Sequence, residues 1–308
     1  MFELVVASGK GGTGKTSLTG ALAEFAGQAI LVDCDVDAAD LHLIVPHDVR
    51  EEHDFSSSKQ AVIDMGKCTA CGVCRESCRF DAIKMFADTV APLGIRFAVD
   101  RNACEGCGLC VHLCPTETIR FERVISGRWF RSEWKSGPFF HARLGIAQSN
   151  SGRLVSLLRQ QARAAAEELE IDSIIVDGPP GIGCPAIAAL TGASYLLIVT
   201  EPSLSAIHDM ERLVDLAEHF DIPVGICLNK FDISEEMSRK VERFAAARSL
   251  IVHAKLPYDL GFTEAQLKGR SYVSCGSSET IEMLKGLWQS IRSDAESRER
   301  DGKRRFAV

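Results

Sequence analysis

A glycine-rich segment near the start of the chain restricts the possible folds most strongly. Residues 9–16 read GKGGTGKT and lie between the apolar, strand-like run Phe2–Ala7 and a helix-compatible stretch at residues 17–25. The pattern G-x-x-x-x-G-K-[ST] in this position is typical of a phosphate-binding loop, because glycines let backbone N–H groups surround phosphate oxygens at a helix N-terminus. An accidental glycine-rich turn would match the pattern without these flanking elements. The chain is therefore predicted to bind a nucleotide at the end of its first strand.

The residues of this loop have separate expected roles. Lys15 is expected to place its charge against the β and γ phosphates, and the Thr16 hydroxyl to coordinate Mg²⁺. The predicted nucleotide-binding residues of the segment are Gly9, Lys10, Gly11, Gly12, Thr13, Gly14, Lys15, Thr16 and Ser17.

Strand and helix patterns alternate along most of the chain. The apolar strand candidates are residues 29–33, 173–177, 195–200, 224–229 and 250–253, and helical patterns occupy residues 154–169 and 205–220. Such alternation predicts an α/β fold with a doubly wound, mostly parallel sheet that is covered on both faces. Residues 118–144 are expected to form strands and turns that rejoin this sheet.

Carboxylates follow two of these predicted strands. Asp33 and Asp35 lie in the segment VDCDVDAAD, and Asp177 precedes GPPGIG. Ligands of open parallel sheets bind at the carboxyl ends of the strands, so these side chains are expected to hold Mg²⁺ or to orient an attacking water. The alternative for any one of them is a helix N-cap, which we favour for Asp37 and Asp40.

Eight of the twelve cysteines form two runs with the same intervals of two, two and three residues: Cys68, Cys71, Cys74 and Cys78, then Cys104, Cys107, Cys110 and Cys114. This spacing is typical of bacterial proteins with two [4Fe-4S] clusters, in which the fourth cysteine of each run binds the other cluster. We therefore predict one cluster on Cys68, Cys71, Cys74 and Cys114, and a second cluster on Cys78, Cys104, Cys107 and Cys110.

Zinc binding and disulfide bonds are the alternatives for these eight cysteines. The chain begins without a signal-peptide pattern, and none of its apolar runs reaches the length of a bilayer. We therefore expect a cytoplasmic location, where the thiols stay reduced. Cys34 and Cys227 lie in or beside apolar runs and are expected to be buried. For Cys184 and Cys275 a structural role is the simplest interpretation.

The cysteine runs interrupt the alternation of strands and helices, which predicts an inserted module. We assign residues 1–58 and 122–293 to the P-loop domain, residues 59–121 to a small α+β ferredoxin-like insert, and residues 294–308 to a charged tail. The tail is expected to be a frayed helix end or disordered. It lacks the apolar face that a membrane-anchoring helix needs. The 35 basic and 42 acidic residues give a net charge of -7, which argues against nucleic acid as the main partner.

The segments GKGGTGKT, DCDVD, IIVDGPPG and LNKFD together resemble the MinD/ParA class of ATPases with a deviant Walker A motif. That class is related to Mrp-type carriers, to nitrogenase iron protein and to the nucleotide-binding domain of the CobQ/CobB group. With its cysteine-rich insert, the chain is similar to MinD-like ATPases that contain an inserted ferredoxin domain.

The resemblance implies roles for particular residues. Two subunits would enclose two ATP molecules, with Lys10 reaching the phosphates across the interface, so Lys10, Lys15 and Asp35 are the predicted catalytic residues. Asp35 would position the hydrolytic water, while Asp33 and Asp177 would serve Mg²⁺ directly or through water, together with Thr16.

The resemblance also implies a binding site for the base. Asn229, at a strand end where asparagine is also a common turn residue, would read adenine. The segment that begins at Pro257 would close over the base.

Two features depart from the related families. Arg79 stands where bacterial ferredoxin runs usually have proline, and its charge is expected to favour the reduced form of a nearby cluster modestly. Cys275 stands alone where Mrp-type carriers use a pair of cysteines, which weakens a carrier assignment.

These expectations favour an ATP-hydrolysing iron-sulfur protein in which the nucleotide state of a homodimer controls electron transfer through two clusters. The expected cofactors are ATP, Mg²⁺ and two [4Fe-4S] clusters, and the expected partner is a redox protein or metalloprotein. One alternative is an ATP-dependent assembly factor for clusters or metalloproteins. A second is a MinD/ParA-like positioning ATPase with redox-sensing clusters. By the resemblance, hydrolysis is expected to be slow without a partner.

Overall fold

The computed structural model of the protein describes residues 1–56, 58–91, 93–145 and 151–305. The strands are β1 (Phe2–Ala7), β2 (Ile30–Asp33), β3 (His47–Phe55), β4 (Ser58–Ile63), β5 (Ile83–Ala87), β6 (Ile95–Val99), β7 (Ile119–Val124), β8 (Gly127–Trp134), β9 (Gly137–Leu144), β10 (Ser173–Asp177), β11 (Tyr195–Thr200), β12 (Val224–Asn229) and β13 (Ile251–Leu256). The helices are α1 (Lys15–Phe25), α2 (Leu41–Ile44), α3 (Val73–Glu76), α4 (Leu109–Leu113), α5 (Ser151–Glu168), α6 (Cys184–Leu190), α7 (Leu204–His219), α8 (Glu235–Ala247), α9 (Gly261–Leu267) and α10 (Ser278–Arg305).

A nine-stranded sheet, in the order β13-β12-β11-β1-β10-β2-β9-β8-β3, organises the nucleotide-binding part. Strand β1 lies between β10 and β11, and both neighbours are parallel to it. Every residue of β2, β10, β11 and β12 is buried, as a parallel sheet covered on both faces requires. The predicted α/β class with a large, mostly parallel sheet is confirmed.

The strand register brings the ends of three strands to one edge of the sheet. Val6 of β1 pairs with Asp177 of β10, which in turn pairs with Asp33 of β2. The P-loop leaves β1 at this same edge. The acidic strand ends and the P-loop therefore meet because the strands are parallel and in this register.

The chain divides into two compact units. The first contains Met1–His53, Trp129–Arg143 and Ser151–Val308, and the second contains Asp54–Arg128 and Leu144–Asn150, of which residues 146–150 lie outside the described part. Residues 59–121, the predicted insert, fall within the second unit. That unit is wider than the prediction because β4 and β7 pair as far as Ser58 and Val124.

The second unit is built from two antiparallel strand pairs, β4 with β7 and β5 with β6. Among the residues that the structure describes, its small core contains the buried residues Ala61, Ile63, Cys74, Ile83, Phe97 and Ile119. A core of this size supplies little hydrophobic free energy by itself.

The predicted charged tail is helical as far as Arg305, because α10 continues through residues 294–305, while residues 306–308 lie outside the described part. Pairs at i,i+4 spacing support this helix, including Arg298 with Asp294 and Arg292 with Glu296. Among the described residues, no helix is both long and apolar enough to cross a membrane.

Candidate functional site

The P-loop occupies the turn between β1 and α1. Gly12 and Gly14 have φ angles of 82° and 92°, a left-handed backbone that residues with a side chain rarely adopt. A Cβ atom on Gly14 would lie 2.5 Å from Nδ2 of Asn229, and one on Gly9 would lie 2.1 Å from Cβ of Asp209. The path of the loop therefore requires glycine at these positions.

Lys15 lies among carboxylates at the base of the loop. Its Nζ is 2.9 Å from Oδ1 of Asp177 and 3.4 Å from Oδ2 of Asp35. Asp177 also accepts hydrogen bonds from the hydroxyls of Thr16, at 2.7 Å, and Thr19, at 2.9 Å. Burial opposes the charge on Lys15, but Asp177 and Asp35 together raise the pKa of Lys15 above its ordinary value, so the amine stays protonated.

The oxygen atoms of Thr16 and Asp177 are ligands of the kind that Mg²⁺ prefers. The third predicted Mg²⁺ residue, Asp33, is fully buried, and its two oxygens accept the backbone N–H groups of Asp35 and Leu41, both at 3.1 Å. Burial and the charge of Asp177 raise the pKa of Asp33 well above its ordinary value. Thr16 and Asp177 thus meet directly, whereas Asp33 holds the start of α2.

The predicted catalytic residue Asp35 faces Lys15 and is 9% exposed. Burial raises the pKa of Asp35, and the charge of Lys15 opposes this rise. A carboxylate with a raised pKa accepts a proton or a hydrogen bond from water more readily. The position and environment of Asp35 therefore suit a group that orients water.

Lys10 is held by residues that follow β11. Its Nζ lies 2.7 Å from Oε1 of Glu201 and 3.1 Å from Oγ of Ser203. Glu201 also pairs at 3.0 Å with Nζ of Lys230, which donates a hydrogen bond to the carbonyl of Gly12 at 2.8 Å. Partial burial favours a higher pKa for Glu201, but the ammonium groups of Lys10 and Lys230 outweigh it and lower that pKa. Neither Glu201 nor Lys230 is among the residues predicted from the sequence, although each directly follows the carboxyl end of a strand.

Asn229 ends β12 and supports the P-loop. Its Nδ2 donates a hydrogen bond to the carbonyl of Thr13 at 2.7 Å, and its Oδ1 accepts the N–H of Lys230 at 3.0 Å. Leu256, the last residue of β13, pairs with Asn229, and Pro257 directly follows Leu256 in the chain. The two predicted base-binding residues are therefore neighbours, and Asn229 has a loop-bracing contact that the sequence did not indicate.

The remaining predicted loop residues differ in their surroundings. Gly11 faces open space where a Cβ atom would lie. Ser17, in the first turn of α1, accepts a hydrogen bond from Nε2 of Gln266 at 2.8 Å. Gln266 belongs to α9, so this contact connects α9 to the end of the P-loop.

The eight cysteines of the two runs line two separate cavities in the second unit. One cavity is lined by Cys68, Cys71, Cys74 and Cys114, and the other by Cys78, Cys104, Cys107 and Cys110. Their empty volumes, open mouths included, are about 310 and 400 Å³. Each cavity takes three cysteines from one run and the fourth from the other. This crossed grouping is the one that two [4Fe-4S] clusters require, and the clusters themselves stay a prediction.

The environments of these thiols differ. Burial raises the pKa of Cys74 to about 11 and also raises that of Cys110. At Cys114, burial favours a raised pKa, but hydrogen bonds with Thr118 and Thr116 outweigh it and lower the pKa to about 6. A bound metal deprotonates its thiol ligands, so the buried thiols need such a cationic group in order to act as thiolates.

The backbone of the second run lies close against β4. A Cβ atom on Gly106, whose φ is 65°, would be 2.2 Å from the carbonyl of Lys59.

Zinc, the alternative to a cluster, gathers thiolates at about 2.3 Å around one atom. In the described part of the chain, no three His, Cys, Asp or Glu side chains are gathered closely enough to hold a metal ion.

The other four cysteines lie outside these cavities. Cys34 and Cys227 are buried, as predicted, whereas Cys184 and Cys275 are exposed. Cys184 is the first residue of α6, directly after the loop that follows Asp177. Its position carries no further assignment.

Comparison with known proteins gives the family. Residues 4–272 match the model of the CobQ/CobB/MinD/ParA nucleotide-binding domain. An uncharacterized protein of Methanocaldococcus jannaschii, MJ0578, is 29% identical over 297 residues, which are 95% of this chain and 97% of that protein.

Solved structures of MinD share the fold. The cell division ATPase MinD of Pyrococcus furiosus has a TM-score of 0.55 at 17% identity, covering 95% of this chain and 98% of its own. The septum site-determining protein MinD of Pyrococcus horikoshii, complexed with Mg-ADP, has a TM-score of 0.53 at 19% identity, covering 94% of this chain and 95% of its own. With the family model matching most of its length, the chain belongs to the CobQ/CobB/MinD/ParA nucleotide-binding domain family.

Proposed function

We propose that the protein is an Mg²⁺-dependent ATPase that holds two [4Fe-4S] clusters and uses its nucleotide state to control electron transfer through them. Family membership and the P-loop geometry support the nucleotide part, as does the Mg-ADP in the complex of the Pyrococcus horikoshii MinD. The observation that carries the iron-sulfur part is the pair of cavities, each lined by four cysteines in the crossed grouping.

The residues around the P-loop have complementary roles in this proposal. Lys15 would exchange its contacts with Asp177 and Asp35 for the phosphate oxygens, because all three sites compete for one amine. Thr16 and Asp177 would then hold Mg²⁺, which when bound neutralises charge on the phosphates. Asp35, released from Lys15, would accept a hydrogen bond from the attacking water.

Lys10 provides the argument for an ATP-dependent homodimer. In one chain its amine is bound by Glu201 and Ser203 rather than left free. For Lys10 to reach phosphates bound by a second subunit, it would have to leave Glu201. Closure of the dimer would thus require an exchange of ion pairs, from a carboxylate to a phosphate.

The path of the chain supports coupling between nucleotide and clusters. Asp33 holds the N–H of Leu41 in α2, and β3 begins at His47, shortly after that helix ends. The chain enters the second unit along β3, and it returns along β8 to β9, which pairs with β2 next to Asp33. A shift at the ends of β2 and β10 on nucleotide binding would therefore act on the strands that lead into the second unit.

The clusters, when bound, would each store and release one electron. The cysteines would provide the thiolates, and buried residues such as Phe97 and Ile83 would cover part of each cluster, while Cys71 and Cys107 stay exposed. The partners implied are a one-electron donor protein and an acceptor that is itself a redox protein or metalloprotein.

The first experiment is iron analysis and reductive titration of anaerobically purified protein, followed by EPR. The protein is measured without nucleotide, with ADP and with Mg-ATP, and Lys15→Ala serves as the nucleotide-binding control. We expect about eight iron atoms per chain, two [4Fe-4S] signals, and potentials or line shapes that respond to ATP only in the wild type. Zinc in place of iron would overturn the cluster assignment, and clusters that ignore nucleotide would overturn the coupling.

Two other functions have specific support. The similarity to MinD favours a positioning ATPase in which the clusters sense redox state, and ATP-dependent binding to a surface with no change in electron-transfer rate would identify it. The open cavity mouths and exposed Cys71 and Cys107 favour a cluster or metalloprotein assembly factor. ATP-dependent transfer of iron to an apo-protein would identify that function.

A further inference from the structure

The two cysteine runs continue into matched segments with different side chains. The first run ends in Cys-Arg-Phe-Asp-Ala-Ile at residues 78–83, and the second in Cys-Pro-Thr-Glu-Thr-Ile at residues 114–119. Asp81 and Glu117 stand at the same position and have nearly the same backbone, with φ of 48° and 51°. Ile83 and Ile119, which close the segments, are both buried. The second unit therefore contains an internal repeat. The effect of side chains that differ between its two halves can be examined by comparing matched positions.

The second segment directs two hydroxyl groups at the sulfur of its last cysteine. The Oγ1 atoms of Thr118 and Thr116 lie 3.4 and 3.6 Å from Sγ of Cys114. Thr118 is 4% exposed, so water competes little for its hydroxyl. When Cys114 is a thiolate, its sulfur can only accept, and both hydroxyls therefore donate.

The matched positions of the first segment are apolar. Phe80 stands where the second segment has Thr116, and Ala82 stands where it has Thr118. The sulfur of Cys78 accepts the backbone N–H of Ala82 at 3.4 Å. Ser77 lines the same cavity, but among the described residues it makes no hydrogen bond to Cys78.

We propose that Thr116 and Thr118 raise the reduction potential of the [4Fe-4S] cluster held by Cys68, Cys71, Cys74 and Cys114 above the potential of the other cluster. Reduction adds negative charge that spreads to the ligand sulfurs, and hydrogen bonds donated to those sulfurs stabilise it. The inference rests on the proposed function, because it requires both clusters. Thr116 and Thr118 are therefore positioning residues. They act on the cluster through the sulfur of Cys114, and they determine which of the two clusters is reduced first.

Arg79 acts against this difference in potential. Its positive charge, next to Cys78 in the chain, favours the reduced form of the cluster held by Cys78, Cys104, Cys107 and Cys110. Its side chain is exposed, so water and salt screen the charge. Thr118 is buried and in direct contact with the sulfur. A direct contact from the buried hydroxyl of Thr118 outweighs an exposed charge, so the hydroxyl groups determine which cluster is reduced first.

The size of the effect follows from one hydrogen bond. A hydrogen bond contributes about 0.5 to 1.5 kcal/mol, and only the part gained on reduction counts, because the sulfur accepts the bond in both oxidation states; removing the Thr118 hydroxyl is therefore expected to weaken reduction of its cluster by up to roughly tenfold. A tenfold change in a one-electron equilibrium corresponds to ~59 mV. Such a shift is resolved in a redox titration.

The experiment compares midpoint potentials in the full-length protein, by EPR-monitored titration without nucleotide. Thr118→Val removes the hydroxyl at nearly constant shape, Thr118→Ser retains it, and Ala82→Thr introduces a hydroxyl at the matched position. Cys114→Ser and Cys78→Ser identify the signal that belongs to each cluster. Arg79→Ala tests the competing charge.

We expect Thr118→Val to lower only the higher potential, Thr118→Ser to retain it, and Ala82→Thr to raise the lower one. The inference is overturned if Thr118→Val moves neither potential, or if the Cys114 cluster has the lower potential in the wild type. A larger shift from Arg79→Ala than from Thr118→Val would also overturn it. Iron content and the two EPR signals are established first in each variant, so absence of the clusters would refute the proposed function instead.

Discussion

Two lysines of the P-loop are each neutralised by carboxylates. Lys15 pairs with Asp177 and Asp35, and Lys10 pairs with Glu201. Without nucleotide, these carboxylates balance the positive charges of the two lysines in place of phosphate groups. Binding of nucleotide is then an exchange of one anion for another, which costs less than stripping water from a free amine.

Replacement of Lys15 by alanine tests this arrangement. We expect Mg-ATP affinity to fall by roughly 10- to 100-fold, because a charge-assisted contact worth about 1.5 to 3 kcal/mol is lost. Isothermal titration calorimetry measures the affinity, and Lys135→Ala, at an exposed lysine of the same unit, is the matched control. Equal affinities in the two variants would remove Lys15 from the phosphate site.

Glu201 makes a prediction about pH. Lys10 and Lys230 lower the pKa of Glu201 below its ordinary value of 4.5, so its ion pairs stabilise the folded protein above that pH and are lost as the pH falls through the lowered value. We expect Glu201→Gln to lower the free energy of unfolding by about 0.5 to 1 kcal/mol at pH 7, since the site is partly exposed.

Urea unfolding at pH 7 and at several values below 4.5 measures this difference. The gap between wild type and Glu201→Gln should close as the pH falls, because both proteins then lack the charge. A gap that is constant with pH would show that the ion pairs contribute nothing to stability.

At the scale of elements, a buried ion pair joins β1 to α5. Nε of Arg159 donates to Oε1 of Glu3 at 2.7 Å, and its Nη1 donates to the carbonyls of Ala188 and Thr191 at the end of α6. Arg163 binds the second oxygen of Glu3. The network therefore ties α6, which follows the Asp177 loop, to the strand that begins the P-loop.

Glu3→Gln should be strongly destabilising. It leaves the buried charge of Arg159 without its partner, a change that typically costs about 3 to 5 kcal/mol. Arg163→Ala is the comparison, because its side chain is 35% exposed and its loss should cost far less. Chemical denaturation of both variants gives the two values, and similar losses would mean that burial does not decide the effect.

At the scale of the molecule, the two compact units differ in what stabilises them. The first unit surrounds a large apolar cluster on the nine-stranded sheet, whereas the described residues of the second unit include a core of six buried residues and two cysteine-lined cavities. If the cavities hold clusters, binding free energy of the clusters is folding free energy for the second unit.

Anaerobic removal of iron by a chelator should therefore act on one unit only. We expect calorimetry to show a lower unfolding temperature for the second unit, by ~4–8 °C for each kcal/mol lost, and an unchanged transition for the first. Mg-ATP affinity should be retained after iron removal. Loss of nucleotide binding together with the iron would contradict the separate stabilisation of the units.

Local features of this protein can be predicted from the order of its residues. The spacing of the P-loop, the apolar strands and the cysteine runs depends on neighbouring residues, so Ser173–Asp177, Tyr195–Thr200 and Val224–Asn229 agree with the predicted strands residue for residue. The family follows from the same motifs. Composition leaves a frayed helix end and disorder as alternatives for the charged tail, and the structure has helix there, with i,i+4 ion pairs that support it.

Contacts between side chains that are distant in the chain become visible only in the folded protein. The clamp of Glu201 on Lys10 and Lys230 depends on parallel strands ending at one edge, far apart in the chain. The oxygens of Asp33 accept the backbone N–H groups of Asp35 and Leu41, a contact that the sequence does not indicate, and its predicted service to Mg²⁺ stays a prediction. The contacts of the Thr116 and Thr118 hydroxyls with Cys114 require the folded loop. Pairing, burial and hydrogen-bond geometry are properties of the packed chain, which local spacing does not contain.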